Sequence, residues 1–216
     1  MTAQQTVAVI GGSGFVGRHL LVRLVNAGLQ VTALARSSAA ESGLRKLAGV
    51  RVVRVKLESD EALSACLAGQ AVVINLVGIL HESREIDFDA VHVAFPRRLA
   101  HLCQAAGVTQ YLHMSALNAD AAKGSSRYLK SRGEGEDAVH HACGGVTVTS
   151  FRPSIIFGPG DNFLTKLING FKELGGEIIE DEVVDIISKE NYVEIKTKNS
   201  NLNADNILIS SGIHSE

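Results

Sequence analysis

Thr6-Val7-Ala8-Val9-Ile10, running straight into Gly11-Gly12-Ser13-Gly14-Phe15-Val16-Gly17, decides how this chain folds. A short run that is apolar or β-branched at every position suits a strand covered on both faces, as in a parallel sheet between two helix layers. Beyond the glycines, Phe15, Val16, Leu20, Leu21, Leu24 and Val25 recur at helical spacing, and Gly28 is placed to end that helix. Gln30 to Ala35 then reads as a second strand, which completes a βαβ unit.

The glycines have separate tasks in such a unit. Gly11 turns the chain tightly out of the strand, Gly14 leaves room for a pyrophosphate to approach backbone N–H groups, and Gly17 lets the helix lie close on the strand. The positive end of the helix dipole then faces the phosphates. Gly11, Ser13, Gly14, Phe15, Val16, Gly17 and Arg18 are therefore the expected dinucleotide contacts of the turn and first helical turn. The end of the second strand reads the cofactor's ribose. An NAD-selective site carries Asp or Glu there. This chain has Ala35-Arg36-Ser37-Ser38, and Arg36 with Ser37 can pair with a 2′-phosphate, with Arg18 nearby. NADP is the expected cofactor, with NAD as the alternative.

Further strands are predicted at Arg51–Val55, Ala71–Val77, Tyr111–Ser115 and Val146–Phe151, separated by helices that include Glu61–Ala68, Arg97–Ala106 and Ser131–Ala142. Pro96 is expected to start a helix, since inside one it would remove a hydrogen bond. The fold class is α/β: a Rossmann-like, doubly wound parallel sheet, with a C-terminal helix, β-meander and closing strand.

Composition excludes several functions. The chain of 216 residues carries a net charge of −2, so no basic surface argues for nucleic acid or an anionic membrane. Ala71 to Leu80, the longest apolar run, is about half the ~20 residues of a membrane span. Cys66, Cys103 and Cys143 are widely spaced and form no CxxC pair, so neither a disulfide framework nor a thiolate metal site is expected. The expected setting is the reducing cytoplasm.

The chain changes character near residue 164. All 12 arginines precede it, while isoleucine numbers 6 before and 9 after. Residues 1–163 carry 16 basic and 13 acidic groups, and residues 164–216 carry 5 and 10. Two coding regions joined near Leu164, by nature or by design, account for this. The expected organisation is a nucleotide-binding unit over 1–163, with 164–216 completing the same domain.

Taken together, residues 5–163 resemble the extended and atypical short-chain dehydrogenase/reductase superfamily, with a likeness to the NADPH-binding accessory subunit of respiratory complex I. The stretches that carry it are Gly11 to Arg18, Asn75-Leu76-Val77-Gly78, His113-Met114-Ser115-Ala116-Leu117, Ser126 to Glu136, Phe151-Arg152-Pro153-Ser154 and Ile156 to Asp161. The resemblance adds Val77, Gly78 and Pro153 to the cofactor contacts. It also implies Tyr128 as general acid/base and Ser115 as the residue that positions a substrate oxygen. The position four residues after the tyrosine holds lysine in active members. Here it is Arg132, a third catalytic candidate whose charge could still lower the tyrosine pKa but whose planar fork would not reproduce the lysine's contacts.

Leu164 to Leu174 reads as a helix stopped by Gly175-Gly176, followed by strand-like runs at Glu177–Ile187, Tyr192–Thr197 and Asn206–Ser211. Turns are expected at Ser188–Asn191 and Lys198–Asn201. This tail resembles a fragment of the FAD-dependent amino-acid oxidase and 2-hydroxyglutarate dehydrogenase type, through Leu174-Gly175-Gly176-Glu177-Ile178-Ile179, Val183 to Ile187 and Ala204 to Gly212. It lacks the FAD-binding glycine turn, so flavin is not expected. With Ala71–Val77 seated beside the first strand, Ile207–Ser211 is expected to extend the sheet beyond Val146–Phe151. The leading functional expectation is an NADP-binding domain with little or no turnover. The alternatives are a reductase or epimerase using Tyr128 and Ser115, and a structural protein with a vestigial nucleotide site. A surface left by a missing substrate domain would favour a homodimer.

Overall fold

Nine residue pairs in register hold β1 (Thr6–Ile10) between two parallel neighbours, β2 (Gln30–Ala35) and β4 (Val72–Asn75). The computed structural model describes residues 5–161 and 163–206. They divide into two compact units, 1–162 and 163–216.

In the first unit the helices are α1 (Phe15–Asn26), α2 (Ser38–Leu44), α3 (Asp60–Leu67), α4 (Phe95–Ala105) and α5 (Arg127–Ala142). The remaining strands are β3 (Val50–Arg54), β5 (Gln110–Met114) and β6 (Thr147–Phe151). Among the described residues the sheet order is β3-β2-β1-β4-β5-β6, parallel throughout. This is the doubly wound Rossmann arrangement, in which the order reverses between β1 and β4 and opens a crevice at their carboxyl ends.

The uninterrupted apolar character of β1 now has its cause. Val7 and Val9 pack with Leu21 of α1 and Leu44 of α2 on one face. Ala8 and Ile10 pack with Leu63 and Leu67 of α3, Leu99 of α4 and Val139 of α5 on the other. The expected strands are present, each ending within about two residues of its predicted boundary, the ordinary spread for such ends.

Two helices differ from expectation. α5 begins at Arg127, a turn earlier than Ser131, because Ser126 caps it and its hydroxyl accepts from Leu129 N–H at 3.2 Å. α4 is preceded by a π-helical turn, Asp89–Ala94, that runs into it without a break. Pro96 therefore sits in the first turn of α4 rather than opening the helical run, and the widened turn ahead of it accommodates a residue without an N–H.

The second unit contains α6 (Phe163–Glu173) and an antiparallel meander of β7 (Val183–Ser188), β8 (Val193–Thr197) and β9 (Asn201–Ala204). The strand expected from Glu177 starts only at Val183. Asp181 instead turns its carboxylate to Thr197 Oγ1 (2.6 Å), Asn199 Nδ2 (2.9 Å) and Glu182 N–H (2.8 Å), a local arrangement that competes with strand pairing. β9 was hidden in the sequence because Leu202 is its one large apolar side chain. Ile207–Ser211, the expected closing strand, lies outside the described residues.

A close backbone approach in the first unit is at Gly17, where a Cβ would stand 2.5 Å from Gly11 O and 2.6 Å from Gly12 Cα. Both are backbone atoms and cannot swing aside. Gly17→Ala is expected to lower the unfolding free energy by about 2 kcal/mol through overpacking. Gly43→Ala, whose Cβ would meet Arg18 Nη2 at an ordinary 3.5 Å, is expected to be neutral or slightly stabilising. Urea unfolding of the two variants checks the contrast.

Candidate functional site

The site begins where β1 ends. Gly11 adopts φ of +84°, and a Cβ on it would strike the Leu76 carbonyl carbon at 2.8 Å and Val77 N at 3.0 Å. The turn is closed by Gly14 N–H donating to Gly11 O at 3.1 Å, and Gly14 then serves as the N-cap of α1 without any side chain to fill the cap. These glycines leave a cradle of exposed backbone at a helix N-terminus that side chains would occupy, so the residues present fit the pyrophosphate of a dinucleotide.

An open groove of about 750 Å³ lies over this turn, lined by Ser13, Gly14, Phe15, Arg18, Pro159 and Gly160 among others. His19 Nε2 lies 3.0 Å from Pro159 O, and the Phe15 ring meets His19 edge-on at 5.3 Å. The loop through Gly158-Pro159-Gly160 is thereby held against the first turns of α1. Sequence reading placed Ser13, Gly14, Phe15 and Arg18 here but missed His19, whose partner is 140 residues distant.

Arg18 Nε donates to Ser13 O at 3.0 Å, and its guanidinium reaches Gly43 on α2. Ser37 caps α2, accepting from Ala40 N–H at 3.2 Å. Arg36 is exposed and makes no hydrogen bond or ion pair among the described residues. Val16 is half-buried, on the first turn of α1.

Past β4, Asn75 Oδ1 accepts from Val77 N–H at 3.1 Å and shapes the loop of Val77, Gly78 and Ile79. Arg132 bridges this loop to the end of β5. It is 7% exposed, its Nη1 donates to Met114 O at 3.2 Å, and its planar end lies against Gly78, where no Cβ would fit. The same guanidinium stands 5.3 Å from the centre of the Tyr128 ring. Tyr128, Arg132 and Gly78 are thus brought together.

Ser115 is also buried at the end of β5, its N–H donating to Phe151 O at 2.8 Å. Its hydroxyl faces the Glu136 carboxylate without a hydrogen bond of normal geometry. Among the described residues no hydrogen bond joins it to Tyr128. Pro153 is half-buried and accepts from Leu117 N–H at 2.8 Å, which fixes the segment after β6 beside the one after β5.

Three participants escaped sequence reading. Glu136 takes a two-pronged bond from Arg152, Nε to Oε2 at 2.9 Å and Nη2 to Oε1 at 2.9 Å. Burial raises its carboxyl pKa, but the Arg152 bonds, with Ser115 and the Arg152 charge, outweigh this and hold it below the usual value. His92 and His113 are both 1% exposed. Burial, aided by the Arg132 charge, pushes His92 down from 6.5 to about 3 and His113 to about 4, with Glu136 opposing the second shift. No sequence signal marks His92, which stands alone between valines, while His113 opens a stretch of the family resemblance without a role attached to it.

Against known proteins, the NAD(P)H-binding family model matches residues 11–183. The chain belongs to the NAD(P)H-binding family. It is an NAD(P)-binding Rossmann domain. The mouse mitochondrial NADH dehydrogenase [ubiquinone] 1 alpha subcomplex subunit 9 is 34% identical over 165 residues, which is 74% of this chain and 43% of that protein. The ceramide reductase of Caulobacter vibrioides is 33% identical over 159 residues, or 74% of this chain and 49% of that one. The chain thus spans less than half the length of these curated relatives. The solved structure of MoeE5 with UDP-glucuronic acid and NAD superposes with a TM-score of 0.65 at 25% identity, covering 76% of this chain and 60% of that one. The family match includes the glycine turn and runs on past residue 164, where the composition changes.

Both buried histidines are neutral in the fold and take up a proton when the chain unfolds. Their folded pKa values lie below the unfolded value of 6.5, so stability is full above that pH and falls as pH drops toward 4 for His113 and 3 for His92. The urea midpoint is expected to decline between about pH 6.5 and 5, above the range where ordinary carboxylates titrate. His113→Phe should flatten that decline, and a slope identical to wild type would contradict the assignment.

Proposed function

We propose that this NAD(P)-binding domain takes NADP(H) in preference to NAD(H) and turns substrate over feebly or not at all. The observation that carries the first part is the end of β2. Arg36 is exposed and unengaged among the described residues, Ser37 follows it, Arg18 reaches α2 from the glycine turn, and no carboxylate stands in that stretch to accept from a ribose 2′-hydroxyl. The glycine turn would hold the pyrophosphate, and the loop of Val77 and Gly78, with Pro153 across from it, would border the nicotinamide half. Arg36→Ala is expected to weaken NADPH binding about tenfold, the loss of one charge-assisted contact, and to leave NADH binding unchanged. Titration by cofactor fluorescence checks this. Equal affinity of the wild-type chain for NADPH and NADH would overturn the preference.

The second part rests on Arg132. The guanidinium is committed to Met114 O and packed on Gly78, so it serves as a fixed brace beside Tyr128. A bound nicotinamide would supply a hydride to a carbonyl carbon or accept one from an alcohol carbon, and efficient use of it needs a closed, positioned pocket. One observation favours a working reductase or epimerase instead. Ser115 Oγ and Arg132 Nε are buried without a hydrogen-bond partner among the described residues, and an oxygen-bearing ligand beside Tyr128 could satisfy them. The relative named ceramide reductase makes an aliphatic carbonyl compound a reasonable test substrate. If such a substrate is reduced, Tyr128→Phe should cut the rate at least a hundredfold, the scale of a lost general acid. Activity that survives the change would exclude Tyr128 as that acid.

A further inference from the structure

The π-helical turn Asp89–Ala94 places His92 in the interior between the loop after β4 and the first turns of α5. Both ring nitrogens are engaged, and each points to a different segment. Nε2 accepts from Ile79 N–H at 3.1 Å. A neutral imidazole must then carry its proton on Nδ1, which lies 2.8 Å from Ser131 Oγ. Ser131 in turn donates to the Tyr128 carbonyl oxygen at 2.8 Å. The direction of every proton in this chain follows from the backbone N–H at one end and the backbone carbonyl at the other.

The surroundings hold the ring in place. It stacks on Phe88 with centroids 5.1 Å apart and an angle of 19°, and it meets the Tyr128 ring edge-on at 5.5 Å. α5 comes so close that a Cβ on Gly135 would collide with the His92 carbonyl oxygen. A histidine that merely filled core volume would need one satisfied nitrogen and no particular address. This one spans two segments that the dinucleotide reading puts to use separately, the Val77-Gly78-Ile79 loop and the helix turn bearing Tyr128.

We propose that His92 is a positioning residue that sets the spacing between the loop after β4 and the Tyr128 turn of α5, so that the loop is held ready for a dinucleotide. The proposal rests on the reading of that loop as part of the dinucleotide site. It touches neither cofactor nor substrate, and acts through Ile79 on one side and through Ser131 on the other.

The test compares variants that reproduce one nitrogen each. His92→Gln can present an acceptor to Ile79 N–H, His92→Asn can present a donor to Ser131, and His92→Leu keeps apolar volume with neither. NADPH affinity of the full chain is read by fluorescence, alongside the thermal midpoint, with Ser131→Ala as a milder cut on the α5 side. Loss of positioning predicts affinity weakened about tenfold in His92→Leu and about threefold in His92→Gln and Ser131→Ala. Simple core filling predicts the reverse order, with leucine best tolerated. Long-range ¹H–¹⁵N NMR of the wild-type imidazole should show a neutral ring protonated at Nδ1. A ring protonated at Nε2, or leucine binding NADPH as wild type does, would overturn the proposal alone. A wild-type chain that shows the Nδ1 proton but binds no NADPH would overturn the dinucleotide reading, and the proposal with it.

Discussion

Three backbone segments converge on Gly11 with no side chain between them. The strand β1 arrives there, α1 departs across it at Gly17, and the chain leaving β4 passes at Leu76 and Val77. Main-chain atoms make every one of these contacts, so none can relax by changing rotamer. The distance from helix to strand, the position of the crevice at the β1–β4 switch and the bareness of the helix N-terminus all follow from this one constraint. What makes room for a phosphate is the same absence of Cβ atoms that permits the packing.

The other side of the crevice is built on a different principle. There, polar side chains lie buried between the ends of β4 and β5 and the helix α5, with Arg132, His92, His113, Ser115 and Glu136 all largely withdrawn from solvent. Buried polar groups are costly unless directed bonds satisfy them. Glu136 is answered by Arg152 and His92 by Ile79 and Ser131, while the histidines avoid a worse cost by remaining neutral beside the Arg132 charge. The arrangement spends polar groups on geometry: each bond fixes a loop that would otherwise be free to drift.

These two halves were unequally legible. Gly11, Gly14 and Gly17 announced themselves because glycine has few reasons to recur between a buried strand and a helix, and the structure finds a steric demand at Gly11 and Gly17. Arg132 was legible as a departure from a pattern, but not as a brace against Gly78 and Met114, since those contacts join residues 54 and 18 apart in sequence. His92 carried no signal at all, and Glu136 closed a stretch of the family resemblance without a role attached to it. A lone histidine between valines reads as core, and only the π-helical turn shows which two segments it faces. In the second unit, Asp181 diverted a predicted strand by bonding to a turn 16 to 18 residues away, and β9 formed on cross-strand pairing that four residues with one large apolar side chain do not advertise.

What the amino-acid order determined by itself is whatever depends on neighbours a few residues apart. That covers the alternation of strands and helices, the cap at Gly28, the glycine turn, and the basic residue in place of an acid after β2. The seat of β4 beside β1 was already expected from the sequence, whereas the partners of Arg132, His92 and Glu136 were decided only in the tertiary structure. The physical reason is that backbone hydrogen bonding and steric turns act locally, whereas a buried charge or imidazole is stable only against groups that the fold brings to it from elsewhere in the chain. The cofactor cradle belongs to the first kind, and the brace around Tyr128 to the second.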